Sequence, residues 1–315
     1  MKLKEWFTME TYLQVRASQI NLYKEVPLYY QSKEDEYVLY KKAGDTLDCP
    51  RLNDEKFPDL FLREADKGKA VKELFTRLNK RLAEQILSTD LDGVRQALAL
   101  AAQEALEDPA DETFKAVPET VEVFFEGFSK RAELLDALLK IQSASSEVVR
   151  HTINVLLFTF RFGFYHGVDE KQIKRMALAA LFHDIGKSGL DKKIVEKKGR
   201  LTDLEFEAYT THPSKGCDLL LKQAGFDPLA ATVAQEHHER IDGSGYPYGR
   251  SNPCFESQLI GLIDCYEPLT YLEKSHRKAR KPFDSLHLIK DEVIQGRFRP
   301  DIFKDFSKCL TERTS

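Results

Sequence analysis

No apolar run in this 315-residue sequence approaches the roughly 20 residues that cross a bilayer; one of the longer stretches, Val155 to Phe160, stops at Arg161. The opening Met1-Lys2-Leu3-Lys4-Glu5-Trp6 has no apolar core of the kind that directs secretion. A cytoplasmic protein with no membrane partner is expected. Cysteine is scarce: Cys49, Cys217, Cys254, Cys265 and Cys309 are scattered and form no CxxC pair, which suits reduced, packed thiols in a reducing compartment. Charge of either sign is also close to balance, 47 basic against 51 acidic residues for a net −4. No electrostatic footprint for a nucleic-acid polymer is present, so an anionic ligand must be gripped locally. What remains is an ordinary soluble composition, 42% hydrophobic and 31% charged, with length enough for about two domains.

The first part of the chain reads as a small α/β domain. Val26 to Tyr30 and Tyr37 to Tyr40 are short, aromatic and β-branched around a polar turn, a hairpin pattern, and Asp59 to Arg63 could add a third strand. Val71, Leu74, Phe75, Leu78 and Leu82 then recur at helical spacing. We place this domain at residues 1–92, with a regulatory or dimerising role. From about Gly93 the pattern is helical nearly throughout. A helical linker region over 93–143, with breaks expected near Pro109 and at Val117-Pro118, leads to an all-helical domain over 144–315. The fold class expected is therefore mainly α, a C-terminal helical domain preceded by a small α/β one. Asp169 with Gln172 and Thr202 with Glu205 have capping-box spacing, and Asp227-Pro228 is an N-cap followed by proline.

The histidines carry the chemistry. Six of the eight fall between 151 and 238. His183-Asp184 ends an amphipathic helix with apolar face Ile173, Met176, Ala177, Ala180 and Leu181, and Gly186 follows as a stop. His212 precedes Pro213 at the start of a helix, His237-His238 come late in the one beginning at Asp227, and Asp264 lies on a helix over about 256–267. His151 adds a further donor, with Glu147 four residues earlier on the same face. One such histidine alone is more often a solvated residue than a ligand. Together, nitrogen and carboxylate donors without cysteine suit Fe, Mn, Zn or Mg rather than a structural zinc-thiolate site. Seven or eight donors exceed the needs of one ion. A carboxylate can bridge two, a pair that activates water for in-line displacement at phosphorus, so phosphoester hydrolysis is the expected reaction.

His183-Asp184-Ile185-Gly186-Lys187, then His212-Pro213 with Gly216, then His237-His238-Glu239-Arg240-Ile241-Asp242-Gly243-Ser244-Gly245-Tyr246-Pro247 resemble the HD-GYP family of bacterial phosphodiesterases over about 145–305. The resemblance implies an HD-type helical domain that hydrolyses cyclic di-GMP to linear pGpG and on to GMP in second-messenger signalling. Its cofactor would be two or three divalent transition-metal ions, Fe or alternatively Mn. It makes His151, His183, Asp184, His212, His237, His238 and Asp264 the metal ligands, with Asp184 as bridge and Glu147 as a ligand to a third ion. Asp184 and Lys187 become the catalytic pair, Lys187 reaching the scissile phosphate, and Tyr246, Arg240 and Asp242 join Lys187 at the substrate. A cyclic dinucleotide, a second copy of the chain, and a diguanylate cyclase or other signalling protein are the partners implied.

Departures from the family pattern follow Asp264. Glu267-Pro268-Leu269-Thr270 replace the usual second aspartate and Ala-Leu-Thr, and the expected basic positions fall near Glu273 and His276, with Arg277, Lys278, Arg280 and Lys281 a few residues later. The proline usual after the Gly-Lys pair is missing from Ser188-Gly189-Leu190-Asp191. The metal set is spared and the ligand grip is altered. The alternatives are therefore a catalytically weak or inactive cyclic-dinucleotide receptor, or a hydrolase of another cyclic dinucleotide or nucleotide.

Overall fold

The computed structural model describes residues 10–34, 36–47, 57–107, 109, 111–141, 146–271 and 281–312. The chain divides into two compact units, residues 1–81 and 82–315. In the first, β1 (Tyr12–Gln14), β2 (Leu28–Lys33), β3 (Glu36–Lys41) and β4 (Leu60–Arg63) form an antiparallel sheet in the order β1-β4-β2-β3. The hairpin and the third strand stand where the sequence pattern placed them. β1 was not anticipated, because three residues are too few to show alternation; it is held by pairing Leu13 opposite Leu62. Helix α1 (Lys67–Ser88) follows, and Val71, Leu74, Phe75 and Leu78 are buried along one stripe of it. Lys41 is buried, and its ammonium donates to the carbonyls of Lys24, Lys42 and Asp45 at 2.9, 3.1 and 3.3 Å.

The second unit is helical: α2 (Leu91–Glu107), α3 (Asp111–Phe128), α4 (Leu134–Lys140), α5 (Glu147–Tyr165), α6 (Glu170–Phe182), α7 (Lys192–Val195), α8 (Asp203–Tyr209), α9 (His212–Leu221), α10 (Pro228–Glu236), α11 (Phe255–Tyr271), α12 (Pro282–Ile294) and α13 (Pro300–Thr311). Residues 93–143, set apart above as a linker region, lie inside this unit. Helix α5 is its axis. From Thr152 to Gly163 every residue is buried, the pattern of a helix enclosed on all sides. It packs against α2, α4, α6, α11 and α13. Arg161, the charge that interrupts its apolar run, pairs with Asp136 and donates to the Cys309 carbonyl at 2.5 Å. No helix among the described residues is long and apolar enough to cross a membrane.

One expected break is corrected. Pro118 lies inside α3 rather than ending it. An interior proline costs roughly 3 kcal/mol through the lost hydrogen bond and ring clash. Burial of Phe114, Val117, Val121 and Phe124 on the same helix contributes about 1.5–3 kcal/mol each, so packing outweighs the local penalty. The helix starts, by contrast, follow their signals. Thr202 and Glu205 form a reciprocal capping box, and Asp227 accepts from the Leu229 amide at 2.9 Å. Asp169 accepts from the Gln172 amide at 3.0 Å, but the Gln172 side chain reaches Glu256 instead of returning, so that box is one-sided.

Candidate metal centre

Five segments of the second unit converge on one cluster of imidazoles and carboxylates. His151 comes from α5, His183 caps the C-terminus of α6 with Asp184 next in the chain, His212 opens α9, His237 caps α10 with His238 next, and Asp264 lies in α11. Two close approaches make this convergence feasible, and each falls on a glycine. A Cβ on Gly186 would lie 2.0 Å from the His212 carbonyl, and one on Gly261 would lie 2.1 Å from the His237 carbonyl. Only glycine lets those backbones meet.

Potential ligand atoms gather in two groups, Asp184 with His212, His237 and His238, and Asp184 with His151 and His183. Asp184 belongs to both and divides its oxygens between them. Its Oδ1 is 3.3 Å from His212 Nε2 and 3.7 Å from His237 Nε2; its Oδ2 is 3.3 Å from His183 Nε2 and 3.9 Å from His151 Nε2. Asp264 spans the same divide, with Oδ1 3.0 Å from His151 Nε2 and Oδ2 3.7 Å from His238 Nδ1.

Tautomers follow from the backbone. His183 Nδ1 is 2.7 Å from the Ala180 carbonyl, His212 Nδ1 is 2.8 Å from that of Tyr209, and His237 Nδ1 is 3.0 Å from that of Ala234. A carbonyl only accepts, so each Nδ1 carries the hydrogen and each Nε2 presents a lone pair to the cluster. Among the described residues these three Nε2 atoms, His238 Nε2 and Asp184 Oδ1 are buried without a hydrogen-bond partner. Native interiors rarely leave so many polar atoms unsatisfied together. Lone pairs aimed inward around a shared carboxylate fit divalent cations, and the nitrogen and oxygen donors suit transition metals.

Charge in the metal-free chain is arranged accordingly. Burial disfavours a charged Asp184, yet Lys187 and the adjoining histidines hold its carboxyl well below the usual range. Burial drives His237 down to about 4, and burial with the neighbouring His237 takes His238 well below its ordinary value, so both rings are neutral ligands at pH 7. His151 goes the other way. Burial opposes its charge, but hydrogen bonds to Asp264 and Glu267 push it up to about 10.

The remaining residues singled out in the sequence divide into two sets. Lys187 lies in a short 3-10 turn over Ile185–Gly189, and its ammonium is 2.5 Å from Asp184 Oδ2 and 5.3 Å from the centre of the Tyr209 ring. Tyr246 stacks on His238, ring centres 4.5 Å apart, and burial raises its hydroxyl so that it stays a proton donor. These two border the cluster. Glu147 is exposed in the first turn of α5 and belongs to neither group of converging donors. Arg240 is turned into the protein, donating to the carbonyls of His237 and Glu239 with its guanidinium 4.4 Å from the Phe298 ring centre. Asp242 accepts from the Ser244 amide and hydroxyl, closing the glycine-rich turn. Glu273, His276, Arg277, Lys278 and Arg280 lie outside the described residues; Lys281 is exposed before α12.

Sequence reasoning passed over the residues that hold the cluster in place. Buried Glu239 accepts from the Tyr248 and Arg250 amides at 2.8 and 2.9 Å, anchoring the loop that carries Tyr246. Glu267 accepts from His151 Nδ1 at 2.6 Å and from Asn154 Nδ2 at 2.5 Å. A signal existed: Glu267 is one helical turn from Asp264, and Asn154 is a lone amide in an apolar run one turn from His151.

An HD domain family model matches residues 141–302. The chain is 28% identical over 177 residues to the cyclic di-GMP phosphodiesterase PA4108 of Pseudomonas aeruginosa, an alignment covering 55% of this chain and 42% of that one. It is 29% identical over 180 residues to the 3'3'-cGAMP-specific phosphodiesterase 3 of Vibrio cholerae, covering 56% and 38%. With a cyclic di-GMP phosphodiesterase of Thermotoga maritima the identity is 29% over 198 residues, covering 60% and 53%. The chain thus spans about half, or less, of the length of these relatives. In structure it is similar to Bd1817, a HDG"Y"P protein from Bdellovibrio bacteriovorus, with TM-score 0.64 and 17% identity over 96% of this chain and 100% of that one, a likeness of fold.

Proposed function

Because the chain belongs to the HD domain family, we propose that its cluster makes it a metal-dependent phosphodiesterase of cyclic dinucleotides, with cyclic di-GMP opened to linear pGpG as the leading reaction. One observation carries this reading. The two oxygens of Asp184 face different sets of imidazole lone pairs, the arrangement a bridging carboxylate between two cations requires. His183, His151 and Asp264 would hold one ion and His212, His237 and His238 the other; these donors accept several divalent transition metals, of which the family resemblance implies Fe or Mn. When bound, such a pair supplies an activated water and neutralises the attacking and leaving oxygens of an in-line displacement at phosphorus.

The protein's own groups do the rest. Lys187 brings its positive charge to the edge of the cluster, suited to a non-bridging phosphate oxygen. Tyr246, protonated and stacked on His238, offers a neutral hydrogen bond at the border of the cluster. Asp184 and Asp264, ionised and aimed inward, keep the site attractive to cations and unattractive to free anions that bring none. The relatives divide by name between cyclic di-GMP and 3'3'-cGAMP phosphodiesterases, and both rings present the same phosphodiester to this site.

The test is elemental analysis of anaerobically purified protein, joined to chromatographic assay of cyclic di-GMP and 3'3'-cGAMP turnover. The expected result is at least two ions per chain and turnover that Asp184→Asn abolishes together with the metal. A metal-loaded wild type that binds cyclic di-GMP tightly and yields no product would replace the enzyme reading with a receptor.

A further inference from the structure

His151 differs from the other ring ligands in what holds its far nitrogen. His183, His212 and His237 each rest Nδ1 on the backbone carbonyl three residues earlier in the chain. His151 rests its Nδ1 on a side chain of another helix, Glu267, at 2.6 Å. That carboxylate is 1% exposed and is itself held: its second oxygen accepts from Asn154 Nδ2 at 2.5 Å, and Asn154 Oδ1 accepts from Arg95 Nη2 at 2.5 Å. Arg95, 1% exposed on α2, also donates to the Leu138 carbonyl at the end of α4 at 3.3 Å. A buried chain of hydrogen bonds therefore runs from α2 through α5 to α11 and ends on a ligand atom's ring.

The direction of each bond is fixed by chemistry. A guanidinium only donates, so Asn154 must turn its oxygen to Arg95 and its NH2 to Glu267. A carboxylate only accepts, so His151 must carry its hydrogen on Nδ1 and leave Nε2 toward Asp264 and Asp184. Removing the guanidinium or the carboxylate loses that polarity. We propose that Glu267, oriented by Asn154 and Arg95, is a positioning residue that sets the tautomer and angle of His151 for metal binding, and so makes α2 a structural part of the centre. The proposal rests on the metal-site reading above. It also gives the Glu267 departure a meaning: the longer carboxylate reaches His151 and Asn154 at once.

Glu267→Gln is the discriminating variant, because an amide keeps the shape but can accept only one of the two bonds now accepted. The other partner faces an NH2, and His151 is released or driven to the Nε2–H tautomer. Zn2+ affinity, measured by competition with a chromophoric chelator, is expected to fall about 10–100-fold at one site, the range seen when an outer carboxylate behind a ligand histidine is lost. The double variant Asn154→Asp with Glu267→Gln restores the pattern. Its new carboxylate on α5 accepts from Arg95 and from the NH2 of the new amide on α11, and the oxygen of that amide again accepts from His151. It is expected to regain wild-type affinity. Wild-type Zn2+ affinity in Glu267→Gln, or a folded double variant that stays weak, would overturn the proposal. Should Glu267→Gln not fold, the 15N shifts of His151 in wild-type protein decide: a protonated Nδ1 with and without Zn2+ supports it, and an Nδ1 without its proton in either state overturns it. A wild type that binds no Zn2+ refutes the metal-site reading instead, while the metal-free 15N measurement still tests the hydrogen-bond chain.

Discussion

Gly261 offers the sharpest test of how the centre is assembled. It sits inside α11, where glycine is ordinarily the poorer choice, and helix propensity alone predicts that Gly261→Ala stabilises the protein by about 1 kcal/mol. The packing predicts the opposite. The added Cβ would lie 2.1 Å from the His237 carbonyl oxygen, and the neighbouring atoms are backbone, which cannot rotate aside. To reach ordinary contact α11 and the end of α10 must separate by roughly 1 Å, and overpacking of this kind typically costs about 1–3 kcal/mol. The clash should therefore win. Asp264 lies one turn further along α11 and moves with it, and a shift of that size exceeds the roughly 0.5 Å within which a site tolerates displacement. Urea unfolding of the metal-free variant should show the stability loss, equivalent to a Tm lower by about 2–4 °C per kcal/mol for a unit of this size. Elemental analysis should show less than the wild-type complement of metal. An alanine variant as stable as wild type with full metal content would refute the claim that backbone contact at Gly261 sets the ligand spacing.

Two further outcomes are expected. Lys187→Ala should keep the metals and lower the turnover number roughly a hundredfold to a thousandfold, the usual cost of one lost transition-state donor, and unchanged turnover in steady-state assays would remove Lys187 from the chemistry. The metal-free protein should lose stability as pH falls from about 6 to 4, because His237, held down at about 4, and His238, held lower still by burial, stay neutral when folded but bind protons near 6.5 when unfolded. The slope is at most about 1.4 kcal/mol per pH unit for each ring. His151, pushed up to about 10, acts in another window: its contribution is complete below about 6.5 and fades as pH rises toward 10. Urea titrations showing no slope between pH 6 and 4 would contradict the buried neutral pair.

Five of the seven ligand candidates, His183, Asp184, His212, His237 and His238, stand at helix ends, where capping and stop signals in the sequence are strong. His183-Asp184 follows an apolar stripe and His212 precedes a proline, so position and residue type agree. The residues that were missed lack such local signals. Glu267 reads in sequence only as a departure, and its meaning depends on His151, which is 116 positions away. Asn154 is an amide in an apolar helix whose partners lie on α2 and α11. Arg240 and Asp242 were singled out as neighbours in a motif, and proximity in sequence does not say which way a side chain turns; both are taken up by the backbone and side chains of their own loop. Pro118 was read by local rule where packing prevailed.

The placement of ligands at helix ends also has an energetic logic. The last turn of a helix leaves carbonyls without intrahelical donors, and the end carries about half a negative charge. Helices α6 and α10 both terminate at the cluster, in His183 and His237. Each imidazole donates Nδ1–H to a carbonyl of its own last turn, so one ring satisfies an orphan acceptor, fixes its own tautomer and presents Nε2 inward. Two negative helix ends then face a space whose natural occupants are cations. The same geometry that finishes the helices therefore prepares the metal centre, and the Asp that follows His183 needs no separate element to reach it.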